Sequence, residues 1–393
     1  MRTREDTRNF WMLAALAGLI VAVGLGAAHH MELHGHIVTG MNNQIVWGLP
    51  HVFAIFMIVA ASGVLNVASI GSVFGQKVYK PRAPLSGLLC LALLAGGLMV
   101  LMLDLGRPDR VLVAATHYNF TSMFAWNVFL YTGMSAIVAL YLWTLFERRM
   151  NPHTGKAGLA ALVWRFVLTT STGSIFAFLV ARQAYHSALL APLFIVLSFA
   201  WGLAVFLVVQ TTMYTWEGRV LDDVIQRRMA RLLGIFIAAS LYLVAVYHLT
   251  NGYYAQQQAF EAFLLRDGGV FPWLFWGGYV LVGAVLPLVL LFRPAFAGAR
   301  NTLAASALVI VGAFAFLYVF IIGGQAFPLD LFPGYEARST FGDGAIAGYS
   351  PSLPELLLGV GGLGLALLLT LVGVRALDFM PQDDFPGGKG ASS

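Results

Sequence analysis

The chain has 393 residues, of which 59% are hydrophobic and only 10% are charged. A soluble domain carries roughly 25% charged residues, so this composition excludes an ordinary soluble protein and favours helices surrounded by lipid. The net charge of +5 does not indicate nucleic-acid binding, because it lies on loops that face anionic lipid. The single Cys90 excludes an internal disulfide and an iron–sulfur cluster bound by this chain alone.

Ten apolar stretches follow one another along the chain, each about as long as a helix that crosses a bilayer. They lie near residues 10–31, 49–75, 84–104, 123–146, 161–183, 188–213, 233–253, 271–292, 302–325 and 353–377. They predict an all-α integral membrane protein that forms one domain over 1–393. We expect helices 2–5 and 6–9 to form two four-helix bundles, with helices 1 and 10 at the periphery. The polar, glycine-rich segment 378–393 is expected to be a disordered tail.

Basic residues are unevenly shared between the gaps. If the N terminus is placed inside, only five of the 23 Lys and Arg residues fall on the outer side. These are Arg107, Arg110, Arg182, Arg266 and Arg338. Short loops rich in Lys and Arg stay cytoplasmic, so both termini are predicted to be cytoplasmic. The inner segment 215–234 is basic and amphipathic, which predicts a short helix on the cytoplasmic face.

Titratable residues collect at the predicted outer ends of the spans, and of the nine histidines only His153 lies on an inner loop. Those at or beside the outer ends are His29, His30, His51, Asp104, His117, Arg182, His186 and His248. Ionisable groups are costly near hydrocarbon, so each is a candidate functional residue, although helix ends also tolerate polar residues for structural reasons. The sequence LDLGRPDR places Asp104 and Arg107 in a charged corner, which serves either as a structural clamp or as part of a substrate site.

Two other uses of these residues stay open. His30, His51, His186 and His248 lie at one depth and could ligate a haem, but no inner layer of histidines supports a relay of two haems across the membrane. The TTSTGS sequence at 169–174 lies between Arg165 and Arg182 in one span. Its hydroxyls either bond to their own helix backbone or line a path for protons.

The run from helix 2 into helix 4 resembles the NrfD/PsrC family of membrane subunits. The residues that carry the resemblance are WGLPHVFAIFMIVAASGVLNVAS at 47–69, LMLDLGRPDR at 101–110 and NFTSMFAWNVFLY at 119–131. The late pattern YSPSLPELLLGVGG at 349–362 is similar to the ten-helix branch of the family, and most similar to the DsrP subunits of DsrMKJOP sulfur-metabolism complexes.

This resemblance implies a quinone-interacting subunit of a respiratory complex in the bacterial cytoplasmic membrane, without haem or an iron–sulfur cluster of its own. It would exchange electrons between menaquinone or ubiquinone and an external, ferredoxin-like iron–sulfur subunit. The other implied partners are a multihaem cytochrome c, a b-type cytochrome and a cytoplasmic iron–sulfur subunit.

The candidate quinone-binding residues are Gln44, His51, Asp104, Arg107, Trp126 and Asn127, with Arg182, Tyr185 and His186 added by their depth. His51 and Asp104 are the candidates for proton exchange, and Arg107 is expected to set the local charge. Two other functions stay open, a secondary transporter and a passive membrane anchor. A transporter would need a site at the membrane midplane built from broken helices, whereas the polar residues here gather at one face.

Overall fold

A computed structural model describes residues 4–219, 221–293, 298–329, 344–377 and 379. Within these residues the chain forms helices and no strand, and ten helices are long and apolar enough to cross a membrane. The predicted all-α membrane fold with ten spans is therefore confirmed. The predicted disordered tail lies outside the described residues except for Phe379, whose ring packs edge-on against Phe146 at a centroid distance of 5.0 Å.

The ten helices are labelled α1 to α10 in chain order. Their bounds are Arg8–His34, Leu49–Ser72, Lys77–Leu103, Met123–Phe146, Asn151–Ala177, Leu190–Trp216, Asp223–Tyr253, Val270–Phe292, Ala299–Ala326 and Leu353–Ala376. Most agree with the predicted spans to within a few residues. The fifth helix begins and ends earlier than the predicted 161–183, so Arg182 lies in the irregular segment that follows it.

The predicted surface helix over 215–234 is wrong. Helix α6 continues to Trp216, and α7 then begins at Asp223 and runs into the apolar span without a break. The side chain of Asp222 accepts hydrogen bonds from two backbone amides of the first turn and so caps the helix. Because this cap satisfies the backbone amides at the start of α7, the basic segment forms the first turns of the span and not a separate helix.

Helix α2 lies at the centre of the molecule, with 94% of its most apolar window buried. It packs against α3, α6 and α10. Its closest approach is to α6, where a side chain on Gly63 would collide with the carbonyl of Ser198 and one on Gly202 would collide with the backbone of Gly63. Small residues let two helix backbones approach in this way, which compensates in lipid for the missing hydrophobic driving force.

Helix α1 lies at the edge of the molecule, with only 17% of its window buried. Its main neighbour is α10, which in turn packs against α3 and α2. The contact is close at Gly24, where an added Cβ would lie 2.7 Å from the Cα of Gly361. Helix α1 is thus peripheral and is joined to the rest through α10, while the division of the chain into two four-helix bundles stays a prediction.

We predict that Gly63→Ala lowers the stability of the protein by about 1–3 kcal/mol, because the new methyl group would force α2 and α6 apart. Thermal unfolding of the purified chain in detergent measures this change. Gly26→Ala is the matched control, since an added Cβ there meets no atom within 4 Å. A Gly63→Ala protein as stable as the wild type would contradict the close packing of α2 on α6.

Candidate functional site

The imidazole of His51 meets the carboxylate of Asp104 where α2 begins and α3 ends. We refer to this end of the bundle as the His51 end. His51 Nδ1 lies 2.8 Å from Asp104 Oδ2, and the side chains are 14% and 1% exposed. The distance is that of an ion pair, but the two groups are not aligned as a hydrogen bond. Among the described residues, neither carboxylate oxygen of Asp104 has a hydrogen-bond partner with suitable geometry. A buried carboxylate is costly without a polar or charged partner, and the His51 imidazole is the group that lies against Asp104.

The turn that carries Asp104 is held by a histidine that the sequence did not indicate. His36 Nε2 donates to the backbone carbonyl of Asp104 at 3.0 Å. Gly106 completes the turn with φ of +70°, and an added Cβ would lie 2.8 Å from the His36 ring. Only glycine meets both the positive φ and the close ring, which explains the glycine of the LDLGRP sequence.

Trp47 forms the aromatic wall of this site. Its ring stacks on that of His51 with a centroid distance of 5.9 Å and an interplanar angle of 25°. Phe176 meets the Trp47 ring edge-on at 5.5 Å, and Phe124 approaches it at 6.1 Å. The arrangement places one polar, protonatable side chain against apolar aromatic surface, as in sites for planar organic ligands.

The side chain of Gln325, near the end of α9, holds Trp47 in place. Its Oε1 accepts from the backbone amides of Val46 and Trp47, both at 3.0 Å. Its Nε2 donates to the carbonyl of Trp47 at 2.9 Å. Gln325 is only 1% exposed, so these bonds replace the regular hydrogen bonds that the irregular segment 39–48 lacks. A lone glutamine at the end of an apolar stretch was its only signal in the sequence.

Two of the predicted site residues, Gln44 and Arg182, belong to the same network. Gln44 Nε2 donates to the carbonyls of Gln325 and Ala326 at 3.2 and 2.9 Å. Arg182 donates to the carbonyls of Gln325 and Gln44 at 3.1 and 2.8 Å. Both side chains thus bind backbone carbonyls and support the segment that carries Trp47.

Glu355, at the start of α10, holds the other side of the 39–48 segment. It is fully buried, and it accepts from the Tyr349 hydroxyl at 2.7 Å and from the amides of Gly40 and Ser352 at 2.9 and 2.7 Å. The Tyr349 hydroxyl accepts in turn from the amide of Leu49, the first residue of α2, at 2.6 Å. Burial raises the pKa of Tyr349 far above its usual value, so Tyr349 stays a neutral donor to Glu355.

Three of the predicted site residues face outward. Arg107 is exposed and forms a bidentate pair with Asp109, with both bonds at 3.0 Å, so it does not pair with Asp104. Trp126, in the first turns of α4, is also exposed and donates to the carbonyl of Phe120 in the preceding loop. His186 is exposed as well. The group that lies against Asp104 is therefore His51, and the expected contribution of Arg107 to the local charge is not seen.

Asn127 and Tyr185, also predicted, are buried, and each forms a hydrogen bond to another part of the bundle. Asn127 Nδ2 donates to the Ser171 hydroxyl at 2.9 Å and so links α4 to α5. The Tyr185 hydroxyl donates to the carbonyl of Ile321 at 2.8 Å. Ile321 belongs to a π-helical part of α9, Tyr318–Gly323, and such segments often accompany functional sites.

The hydroxyls of the 169–174 sequence make contacts of two kinds. Thr169 lies 2.6 Å from the hydroxyl of Ser62 on α2, and it also donates to the carbonyl of Arg165, four residues earlier on its own helix. The Arg165 side chain is buried and donates to Asn66 Oδ1 at 2.7 Å. These contacts join α5 to α2, and the proton path considered from the sequence stays a hypothesis.

A second histidine and carboxylate pair lies at the same end of the molecule. His248 Nδ1 is 2.7 Å from Glu261 Oε2, and Asn251 donates to the other oxygen at 2.9 Å. The pair ties the short helix Gln258–Ala262 to α7. In both pairs it is Nδ1 that faces the carboxylate, so the haem alternative considered from the sequence stays a hypothesis. Within the described residues, no group of three or more metal-binding side chains occurs.

The fold and this site define a multi-pass membrane protein whose polar groups meet at one end of a helix bundle. The family model described as "Polysulphide reductase, NrfD" matches residues 37–329, and the chain belongs to this NrfD family. The matched range includes the 39–48 segment, His51, Asp104 and Gln325.

Several relatives match the chain over almost its whole length. The "Hdr-like menaquinol oxidoreductase integral membrane subunit" of Archaeoglobus fulgidus is 30% identical over 389 residues, which cover 96% of this chain and 95% of that protein. A putative membrane subunit of dimethyl sulfoxide reductase from Halobacterium salinarum is 29% identical over 394 residues, covering 91% and 89%. A subunit of selenate reductase from Mesobacillus selenatarsenatis is 21% identical over 401 residues, covering 91% of each chain.

We predict that Gln325→Ala loosens the 39–48 segment, because two backbone amides and one carbonyl lose their partner. Each lost bond costs about 0.5–1.5 kcal/mol, and more where the group stays buried. Hydrogen–deuterium exchange of residues 42–49 should therefore become faster. The control is Gln258→Ala, since Gln258 is exposed at the same end. Unchanged exchange in the Gln325→Ala protein would show that Gln325 does not hold Trp47.

Proposed function

We propose that this chain is the quinone-interacting membrane subunit of a respiratory redox complex. It exchanges electrons between a membrane quinone and an iron–sulfur subunit docked at the His51 end. The observation that carries the proposal is the His51–Asp104 pair beneath the aromatic ring of Trp47. The similarity to a subunit named for menaquinol oxidation supports a naphthoquinone as the substrate.

The residues of the site fit a quinone head group. A quinone needs a hydrogen-bond donor for its carbonyl oxygen and apolar surface for its ring and tail. His51 Nδ1 faces Asp104, which leaves Nε2 as the ring nitrogen for the substrate. The ring of Trp47 supplies aromatic surface beside it.

The same pair provides for the protons of the reaction. Oxidation of a quinol releases a pair of electrons and a pair of protons, and reduction of the quinone takes them up. His51 accepts a proton from the quinol hydroxyl, and Asp104 stabilises the imidazolium that forms. A single imidazole takes one proton at a time, so it passes the first to solvent at the membrane surface before it accepts the second.

The electrons pass directly between the substrate and a partner. We propose an external, ferredoxin-like iron–sulfur subunit as this partner, in a complex of the DsrMKJOP type that acts in dissimilatory sulfur metabolism. This assembly also contains a multihaem cytochrome c, a b-type cytochrome and a cytoplasmic iron–sulfur subunit. The chain then lies in the bacterial cytoplasmic membrane with both termini cytoplasmic, so that the His51 end faces outward.

We predict that His51→Ala and Asp104→Asn each lower quinol-linked electron transfer of the assembled complex about 100-fold, within the range that a general acid–base group contributes. The measurement is steady-state oxidation of a soluble menaquinol analogue by the purified complex. The matched control is His153→Ala, at the opposite end of the bundle, which should keep the wild-type rate. Gel electrophoresis of each purified variant checks that all partners are still bound, which distinguishes a defect in assembly from a defect in electron transfer.

The outcomes separate the proposed function from its alternatives. Unchanged rates in both variants, in a complex that binds no quinone, would overturn the proposal and favour a passive anchor. Uptake of a labelled solute into vesicles by this chain alone would favour a transporter.

A further inference from the structure

An apolar groove lies between α1 and α10 at the end of the molecule opposite His51. Its volume is about 460 Å³. The aromatic rings of Phe10 and Trp11 form one side, Val372 belongs to the other, and Arg375 lies at its end. Trp11 is 62% exposed and Val372 is 49% exposed, so the groove opens sideways from the helix pair.

The groove exists because α1 and α10 are in close contact only nearer to the His51 end. They touch at Gly24 and Gly361, and Ala17 is fully buried between them. At Gly18 the space is open, since an added Cβ would meet no atom within 4 Å. The absence of a side chain at Gly18 therefore leaves room along the wall of the groove.

Positive charge marks one end of the groove. Arg375 lies in the last turn of α10, and its Cζ is 5.2 Å from the centroid of the Phe10 ring. Arg8 is exposed on α1, three residues before Trp11 and therefore on the same face of the helix. A helix of 24 residues is about 36 Å long, so Arg375 lies at the level of the lipid head groups.

We propose that this groove binds one anionic phospholipid, independently of the quinone function. Arg375 and Arg8 contact the phosphate of the head group, and one acyl chain lies along Trp11, Gly18 and Val372. The walls are apolar and face the bilayer, so water does not fill the groove and an acyl chain does. Guanidinium groups at the membrane surface favour anionic over neutral lipids.

The shape and charge of the groove argue for a lipid over a helix of a partner protein. A helix with its side chains is about 10–12 Å across, whereas a single acyl chain is far thinner. The limited volume of the groove and the arginine at its end together favour a phospholipid as the occupant.

Native mass spectrometry of the delipidated, full-length chain tests the proposal. The chain is titrated separately with dioleoyl phosphatidylglycerol, with dioleoyl phosphatidylcholine and with inorganic phosphate. We expect one phosphatidylglycerol to bind more tightly than phosphatidylcholine. Arg375→Gln should weaken phosphatidylglycerol binding about fivefold, the effect of one basic residue near a membrane surface. It should weaken phosphatidylcholine binding less, because the choline group offsets the charge of that phosphate.

Filling the groove provides a second variant. Gly18→Leu should weaken both lipids, because the new side chain would occupy the path of the acyl chain. The controls are Gly26→Leu, also in open space on α1, and Arg149→Gln, an exposed arginine outside the groove. Both should bind as the wild type does. Wild-type affinity in the Arg375→Gln protein, or equal competition by inorganic phosphate, would overturn the proposal.

A photoreactive amino acid at position 372 identifies the occupant in native membranes. A lipid adduct would support the proposal. A polypeptide adduct would overturn it and assign the groove to a partner helix.

Discussion

Backbone that leaves a helix at a membrane boundary must still satisfy its hydrogen-bonding groups, and the site of this protein depends on how the 39–48 segment meets that demand. Gln325 binds it from α9, and Glu355 binds it from the start of α10. These two buried side chains fix Trp47, and Trp47 in turn stacks on His51. The geometry of the site is thus set by residues far from it in the sequence.

The site draws on both halves of the chain. His51 and Asp104 come from α2 and α3, whereas the supports of the 39–48 segment come from α9 and α10. Arg182, between α5 and α6, joins the same network through backbone carbonyls. A rearrangement of the last two helices would therefore reach Trp47 directly.

The spans and the gathering of polar residues at one end could be found from the sequence, because apolar length and the depth of ionisable residues are strong signals in membrane proteins. The sequence also singled out His51 and Asp104, but their direct contact appears only in the structure. The supports could not be found in this way. Gln325 appears as one amide at the end of an apolar stretch, and its role depends on backbone groups about 280 residues away. Arg107 was expected from the sequence to act on Asp104, because both lie in the LDLGRP sequence. In the structure its side chain pairs with Asp109 instead. Side-chain direction at a turn is not encoded in spacing alone.

The central claim is that a quinone head group binds at His51 Nε2, beside the ring of Trp47. Photolabelling of the assembled complex with an azido-naphthoquinone, followed by peptide mapping, tests it most directly. The account predicts that the label is found within residues 44–51 or 101–106 and that His51→Ala lowers its yield. A label confined to other parts of the chain or to a partner protein, with a yield unaffected by His51→Ala, would contradict the account.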